Sequence, residues 1–221
     1  MRRKQKFTAV ALAGFVAGVA FVDYRILTSS EVITPRVEKL LSDRLGGTVE
    51  IRTLDLHAEG KVICRDLRIT PPRHVGARDV VRCDSIDIEY RGVLVPGAFD
   101  VSRVVIRGLD ANVSRAAIGY WAGRLAPAEA EEAAGAWPVI RVEGARIVTD
   151  LPEALAPGAR LDLRDFQLTA HPLDGGGALA EFRADGRGIG LGVWSGRIRY
   201  EPREAAVRAD VACAVLDVRE S

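Results

Sequence analysis

The sequence predicts a mainly β protein, an antiparallel sheet preceded by a transmembrane helix and a short amphipathic helix. Three observations lead to this prediction. An uncharged apolar run follows a basic N-terminus, the next segment has apolar residues at helical spacing, and from Thr48 onward apolar and polar residues alternate. The predicted segments are a basic tail at 1–6, an anchor at 7–27, a helix at 28–47 and a β domain at 48–221, with a helical insertion at 115–136.

Length and composition limit the classes of protein to consider. The chain has 221 residues, enough for one sizeable domain or two small ones. It is 48% hydrophobic and 28% charged, a balance typical of a folded chain. The 31 basic and 30 acidic residues give a net charge of +1, whereas nucleic-acid-binding domains usually carry a basic stripe. We therefore expect no nucleic-acid partner.

The N-terminus has the pattern of a membrane anchor. Residues 1–6 read MRRKQK, and residues 7–22 carry no charge. Such a run is near the short limit of a transmembrane helix, about 17–25 residues, and Tyr24, Ile26 and Leu27 lengthen it. The basic cluster predicts a cytoplasmic N-terminus, a single pass through a bacterial inner membrane and an exported remainder. The residues expected to contact the bilayer include Phe7, Leu12, Phe15, Val19 and Phe21.

A cleaved signal peptide is the alternative for this segment. Gly18 and Ala20 form a small-x-small site at the end of the apolar run. We favour the anchor because the residues after Ala20 stay apolar through Leu27, whereas a mature N-terminus is more often polar. Both interpretations place the bulk of the chain outside the cytoplasm.

The segment at 28–47 has the signals of one amphipathic helix. Ser29 and Ser30 are N-cap residues, Pro35 suits the first turn, and Gly46-Gly47 marks the end. The helix is expected to pack on one end of the sheet, with the membrane surface as the less favoured location. Its apolar residues at helical spacing are Val32, Ile33, Val37, Leu40, Leu41 and Leu45.

The rest of the chain reads as short strands with turns between them. The alternation in Val62–Ile69 changes register at Arg65-Asp66, which suggests a β-bulge. Two pairs of segments resemble each other within the chain, VVIRGLDANVSR with PVIRVEGARIVTD, and CRDLRIT with LDLRDFQLT. Residues 116–136 are rich in Ala and Glu, which predicts a helix between two strands. We favour a connecting helix over a lid. Gly186, Gly188, Gly190 and Gly192 are expected on one face of a strand.

Motifs of catalysis and of metal or cofactor binding are absent from the sequence. It has no G-x-S-x-G elbow, no H-E-x-x-H and no Walker loop. We therefore predict that the protein is not an enzyme and binds neither a cofactor nor a metal ion. The three histidines, His57, His74 and His171, lie far apart. Cys64 and Cys83 lie in successive predicted strands and either pair or, as we favour, act as small buried hydrophobic residues.

The order of features resembles the start of the AsmA-like family, which includes the TamB-related proteins. The resemblance covers residues 1–120, and Trp121 takes the place of an aromatic residue that follows in the family. It is carried by an anchor, a helix ending LSDRLGG, the segment TVEIRTLDLHAEGKVICRDLRITPP and the segment DSIDIEYRGVLVPGAFDVSRVVIRGLDANVSR.

The resemblance implies an elongated, curved β-sheet, a periplasmic β-groove, that carries phospholipid between the inner and outer membranes. Its partners would be phospholipid acyl chains, the inner membrane, and further β-strands of a longer chain or of another protein. The alternative is an anchored scaffold or outer-membrane assembly factor that binds protein, with the strands closed into a sandwich. The residues expected to line the groove are Ile51, Leu67, Ile69, Ile86, Ile88, Val104 and Ile106.

Overall fold

A computed structural model describes most of the β domain and the helix before it. The described residues are 29–57, 59–76, 79–92, 99–125, 138–150, 158–173, 177–187, 192–201 and 206–214. The predicted basic tail and anchor lie outside these ranges. Among the residues that are described, no helix is both long enough and apolar enough to cross a membrane.

The described chain is mainly β, as predicted. The helices are α1 (Ser30–Leu45), α2 (Arg73–Gly76) and α3 (Arg115–Leu125). The strands are β1 (Thr48–His57), β2 (Lys61–Thr70), β3 (Val80–Gly92), β4 (Phe99–Arg107), β5 (Asp110–Val113), β6 (Val139–Asp150), β7 (Arg160–Pro172), β8 (Ala178–Arg187), β9 (Gly192–Glu201) and β10 (Ala206–Ala214).

All ten strands form one sheet, which is mixed rather than purely antiparallel. The order is β1-β2-β3-β4-β6-β7-β8-β9-β10, and β5 continues the line of β4 between β3 and β6. Strand β6 runs parallel to β4 and β5, whereas the other pairs are antiparallel. Parallel neighbours need a crossover connection, and α3 lies in the connection that the sequence marked as an insertion. The antiparallel prediction is therefore wrong for the pairing of β6 with β4 and β5. Residues 126–136 of the predicted insertion lie outside the described ranges.

Four residues with left-handed backbone lie in a row across the middle of the sheet. Their φ angles are 51° at Asp66, 62° at Gly108, 62° at Gly144 and 48° at Asp165. The pairing registers place Asp66 of β2 and Gly108 on either side of Asp84 of β3, Gly108 beside Gly144 of β6, and Asp165 of β7 within about two residues of the position opposite Gly144. We call these four residues the left-handed row. Each of the two internal resemblances in the sequence spans two members of this row.

The alternation of buried and exposed side chains inverts at the left-handed row. In β1 the buried residues are Val49 and Ile51 before it and Leu54 after it. In β2 they are Cys64 before it and Leu67 after it. The predicted bulge at Arg65-Asp66 is wrong, because β2 keeps one pairing register with both neighbours and gains no extra residue. The inversion instead occurs in several strands at the same row, which keeps their apolar side chains on one side of the sheet.

Helix α1 covers one end of the sheet. Its apolar residues Ile33, Val37, Leu41 and Leu45 pack against a buried cluster of β1, β2 and β3. The helix ends at Gly46, which has φ 68° and donates its N–H to the Ser42 carbonyl at 2.8 Å, as predicted. The members of the cluster are Val49, Ile51, Leu54, Cys64, Leu67 and Cys83.

Two details of α1 differ from the prediction. Ser29 occupies the N-cap position, but its side chain makes no capping hydrogen bond, and its carbonyl accepts from Val32 and Ile33. Pro35 lies inside the helix rather than in its first turn, because the helix begins five residues earlier at Ser30.

Helix α3 closes the open end of α1. The Arg124 guanidinium donates to the carbonyls of Arg44 at 3.0 Å and Asp43 at 2.9 Å, where a helix leaves its last carbonyls unpaired. The Tyr120 hydroxyl donates to the Gly46 carbonyl at 3.3 Å. A positive charge at this position also favours the negative end of the α1 dipole. These contacts fix α3 against α1.

The glycine-rich stretch of the last third forms the ends of two strands rather than one strand face. Gly186 on β8 pairs with Gly192 on β9. Gly188 and Gly190 lie outside the described residues. The predicted single strand through all four glycines is therefore wrong, since the chain reverses between the first and the last of them.

Candidate functional site

The two sides of the sheet differ in chemistry across its whole width. One row of paired residues runs Leu54, Cys64, Ile86, Ile106, Val142, Leu168, Phe182, Gly196, Val211, from β1 to β10. The adjacent row runs Asp55, Ile63, Asp87, Val105, Arg141, Thr169, Glu181, Arg197, Asp210 in the same registers. Because successive residues of a strand face opposite sides, these rows define an apolar side and a charged side.

Ion pairs connect the strands on the charged side. Asp87 accepts from Lys61 at 3.1 Å and from Arg107 at 3.1 Å, and Arg107 also bonds Glu143 at 3.0 Å. Burial alone would raise the pKa of Asp87, but the hydrogen bonds from Lys61 and Arg107 outweigh this effect and lower it below its usual value. Val105, which is only 4% exposed, lies among these charged residues. These ion pairs therefore connect β2, β3, β4 and β6 across the charged side.

A further ion pair on the charged side connects β6 with β7. The Arg146 guanidinium donates two hydrogen bonds to Asp162, at 3.1 and 3.0 Å. These bonds, with smaller help from Arg164, lower the pKa of the Asp162 carboxyl below its usual value. Such bidentate pairs hold neighbouring strands in register.

The predicted groove residues all lie on the apolar side, but in two different surroundings. Ile51, 6% exposed, and Leu67, 9% exposed, belong to the buried cluster under α1. Ile88 and Val104 form a cross-strand pair of half-buried residues that is not part of that cluster. Ile69, Ile86 and Ile106 are half-buried and pack against the cluster.

Beyond β3 the apolar side has little helix cover among the described residues. In the part of the chain that the structure describes, α1 packs on β1, α3 packs on α1 and α2, and helix contacts with β6–β10 are marginal at most. Val142, Ala170 and Ala184 are nevertheless buried on this side. The larger side chains of Ile140, Leu168 and Ile198 are half-buried, and Val211 is 54% exposed. We call the apolar side of β6–β10, together with Ile88 and Val104, the uncovered surface.

A hollow of about 470 Å³ lies at β8–β10 in the uncovered surface. Its lining includes Gly196 with Phe182 and Val211 on either side in the same row, and also Glu181, Arg197 and Asp210 of the adjacent row. A Cβ atom at Gly196 would come within 2.7 Å of the Phe182 ring, so only a glycine at this position leaves room for the ring. Phe182 in turn stacks on Phe166 with the ring centroids 5.9 Å apart.

Sequence reasoning missed this hollow, although a signal for it existed. In the stretch Ala180–Ala184, the charged residues Glu181 and Arg183 alternate with two alanines and Phe182. That pattern predicts an apolar side made mostly of alanine with one aromatic ring.

The two edge strands of the sheet are also different from each other. Three side chains of α1 accept hydrogen bonds from the outer N–H groups of β1. The bonds are Val49 N–H to Ser42 Oγ at 2.9 Å, Ile51 N–H to Glu38 Oε1 at 2.6 Å and Leu54 N–H to Ser30 Oγ at 3.2 Å. At the other edge, β10 pairs only with β9 among the described strands, and residues 208–214 are exposed. Among the described residues, α1 side chains therefore cover the β1 edge, whereas the outer edge of β10 is open.

The cysteines and histidines form no reactive cluster in the described residues. Cys64 and Cys83 are buried free thiols, and burial, followed by the nearby Cys83, raises the pKa of Cys64 to about 11. The Cys83 thiol lies 3.2 Å from the Ser85 carbonyl, to which it donates. Within the described ranges, no group of three or more His, Cys, Asp or Glu side chains is arranged to hold a metal ion. His74 contacts the Tyr120 ring edge-on.

Comparison of the chain with protein-family models, with curated proteins and with solved structures finds no significant match in any of the three.

Proposed function

We propose that this chain is an inner-membrane-anchored periplasmic protein whose uncovered surface binds phospholipid acyl chains and guides them between the inner and outer membranes. The observation that carries the proposal is a sheet with one charged side and one apolar side, of which the apolar side has at most marginal helix contact beyond β3 in the described residues. The resemblance to AsmA-like proteins supports the lipid as the ligand and an elongated groove as the shape.

The physical argument begins with the cost of leaving this side in water. Apolar surface is stabilised by about 25 cal/mol for each Å² removed from water, and a buried methylene group contributes about 0.8 kcal/mol. An acyl chain is a row of methylene groups, so it covers a long apolar strip without any directional contact. The side chains of Ile140, Leu168 and Ile198 carry no hydrogen-bond donor, so contact with them holds no headgroup at one place. We expect lipid to move along these residues.

Site-specific photocrosslinking in cells tests this proposal. A photoreactive phenylalanine analogue replaces Leu168 on the uncovered surface, Thr169 on the charged side or Ile51 under α1. We expect phospholipid adducts at position 168 and none at positions 169 and 51, as read by mass spectrometry of the purified protein. Positions 168 and 169 are adjacent in β7, so they differ in side and share a strand.

Two results would overturn the lipid proposal. One is a folded protein that gives no lipid adduct at 168 and none at Ile88. The other is equal adduct formation at 168 and 169, which would mean contact with bulk membrane rather than with one side. Adducts to another protein at 168 would favour the scaffold function instead, a candidate that the open β10 edge supports.

The anchor is part of the same proposal and has its own test. The run at 7–22 after MRRKQK motivates it. A C-terminal alkaline phosphatase fusion should be active, and the full-length protein should sediment with membranes after carbonate washing. Release of a soluble chain shortened after Ala20 would show a cleaved signal peptide and remove the anchor from the proposal.

A further inference from the structure

We propose that two copies of this chain join through their β10 strands, antiparallel about a two-fold axis at Ala209, to form one continuous sheet. The proposal concerns the open edge alone and does not depend on what the uncovered surface binds.

The first argument is the contrast between the two edges. An edge strand presents unpaired N–H and C=O groups, and proteins usually protect them with a covering element, a proline, a bulge or lysines. The β1 edge is covered by side chains of α1. Strand β10 has nine residues in unbroken register with β9, and its sequence AVRADVACA contains no proline or lysine. It is therefore a complete template for another strand.

The second argument is that the β10 sequence complements itself. In an antiparallel pair centred on Ala209, Arg208 of one copy lies opposite Asp210 of the other, and the reverse pair forms at the same time. The centre falls on Ala209, a small residue that lets the two backbones approach. Opposite charges at facing positions stabilise a ladder.

Other registers of the same two strands are less favourable. Centring the pair on Asp210 places the two carboxylates directly opposite each other, and centring it on Arg208 does the same with two guanidinium groups. Like charges at facing positions are destabilising. The charges of β10 thus select the Ala209 register.

The third argument is the direction of the side chains. A two-fold axis perpendicular to the sheet keeps the apolar sides of both copies on the same side. Val211 would stay on the apolar side and Asp210 on the charged side, where each already lies. The joined sheet would continue both chemistries without interruption, as expected of an isologous contact.

Disulfide trapping of the full chain in mild detergent tests the register. The variants carry Cys213→Ala to remove the exposed thiol, together with either Ala209→Cys or Val211→Cys. At position 209 the two Cα atoms would face each other at about 4.5–5.5 Å, within the range for a disulfide. At position 211 the two copies would be offset by four residues, about 13 Å, too far to bridge. We expect crosslinked dimer for Ala209→Cys and none for Val211→Cys.

Charge reversal provides an independent measurement. Arg208→Asp or Asp210→Arg alone creates two like-charge pairs in the dimer and should raise its dissociation constant about tenfold. The double variant restores opposite charges and should recover most of that loss. Light scattering measures the dissociation constant, and circular dichroism checks that each variant remains folded.

The proposal fails if the folded full chain stays monomeric at all concentrations measured. It also fails if Val211→Cys crosslinks as well as Ala209→Cys, since that result means random collision. A double charge variant that is as weak as the sum of the two single variants would likewise reject the Ala209 register.

Discussion

The two ends of this sheet share one sequence pattern and have different surroundings. In β1–β3 the apolar side lies under α1 and forms a buried cluster. In β6–β10 the apolar side has at most marginal helix contact among the described elements, and only Val142 and small residues such as Ala184 are buried there, whereas Leu168 is half-buried. Leu54 and Leu168 belong to one row of the sheet, yet only the first is buried. Alternation therefore tells which side of a strand is apolar, whereas the cover of that side depends on other parts of the chain.

The largest expected difference between the two ends is in the cost of truncating a leucine. Leu54→Ala removes a side chain that is 6% exposed and leaves a cavity, and we expect a loss of about 3 kcal/mol in the free energy of unfolding. Leu168→Ala should cost less, about 1 kcal/mol, because Leu168 is only half-buried and has at most marginal helix contact among the described elements. Urea denaturation followed by circular dichroism measures both. Equal losses would mean that the two ends are covered alike.

The left-handed row permits a matched test of two glycines with one φ angle. Gly108 and Gly144 both have φ 62°, so alanine at either position is strained by about 1 kcal/mol. A Cβ atom at Gly108 would also collide with the Asp84 carboxylate, whereas at Gly144 it would meet open space. We expect Gly108→Ala to destabilise by about 2 kcal/mol and Gly144→Ala by about 1 kcal/mol. A larger loss at Gly144 than at Gly108 would contradict this account of the row.

Removing a hydrogen bond between α1 and β1 should leave the β1 edge more accessible to solvent, as the β10 edge is. Glu38→Ala removes the acceptor of the Ile51 N–H and should cost about 1 kcal/mol. Hydrogen exchange of the Ile51 amide should become faster while amides in β7 are unchanged. Lys39→Ala, on the exposed side of the same helix, is the control and should leave this exchange as it was. Unchanged protection of Ile51 would mean that Glu38 does not protect the edge.

The smallest expected effect concerns pH and the charged side. The lowered pKa of Asp87 stabilises the fold above the pKa of an unfolded aspartate, about 3.9, and this contribution is lost as pH falls through the folded value. Asp87→Asn should cost about 0.5 kcal/mol at pH 7 and nothing near pH 2. Denaturation at the two pH values measures the difference. A cost that is the same at both pH values would point to packing rather than charge.

Much of the fold could be predicted from the sequence, because local patterns determine it. The alternation in β1–β4 and the helical spacing of α1 have direct physical causes in the strand and helix periods. The parallel joint at β6 could not be predicted in this way, since alternation carries no information about strand direction. The change of alternation at Asp66 predicts a bulge, whereas the structure has a left-handed residue there. A bulge and a left-handed residue produce the same alternation in a single strand.

The candidate site was predictable only in part. All seven expected groove residues share the apolar side, since alternation fixes the side of each. Their separation into covered residues such as Ile51 and uncovered residues such as Ile88 depends on where α1 packs. The hollow beside Phe182 depends on Gly196 of the neighbouring strand, fourteen positions along the chain in the pairing of β8 with β9. Such pairing is a long-range property that no local pattern gives.

The left-handed row also has a consequence for how the strands find their partners. In an ordinary sheet a slip of two residues keeps every side chain on its proper side, so such an error meets little resistance from the alternation itself. Here each strand that contributes to the row changes its alternation at one fixed position. A slip by two between β6 and its neighbours β4 and β5 would separate Gly108 from Gly144 and turn the intervening apolar side chains toward water. The left-handed row therefore favours a single pairing register between neighbouring strands.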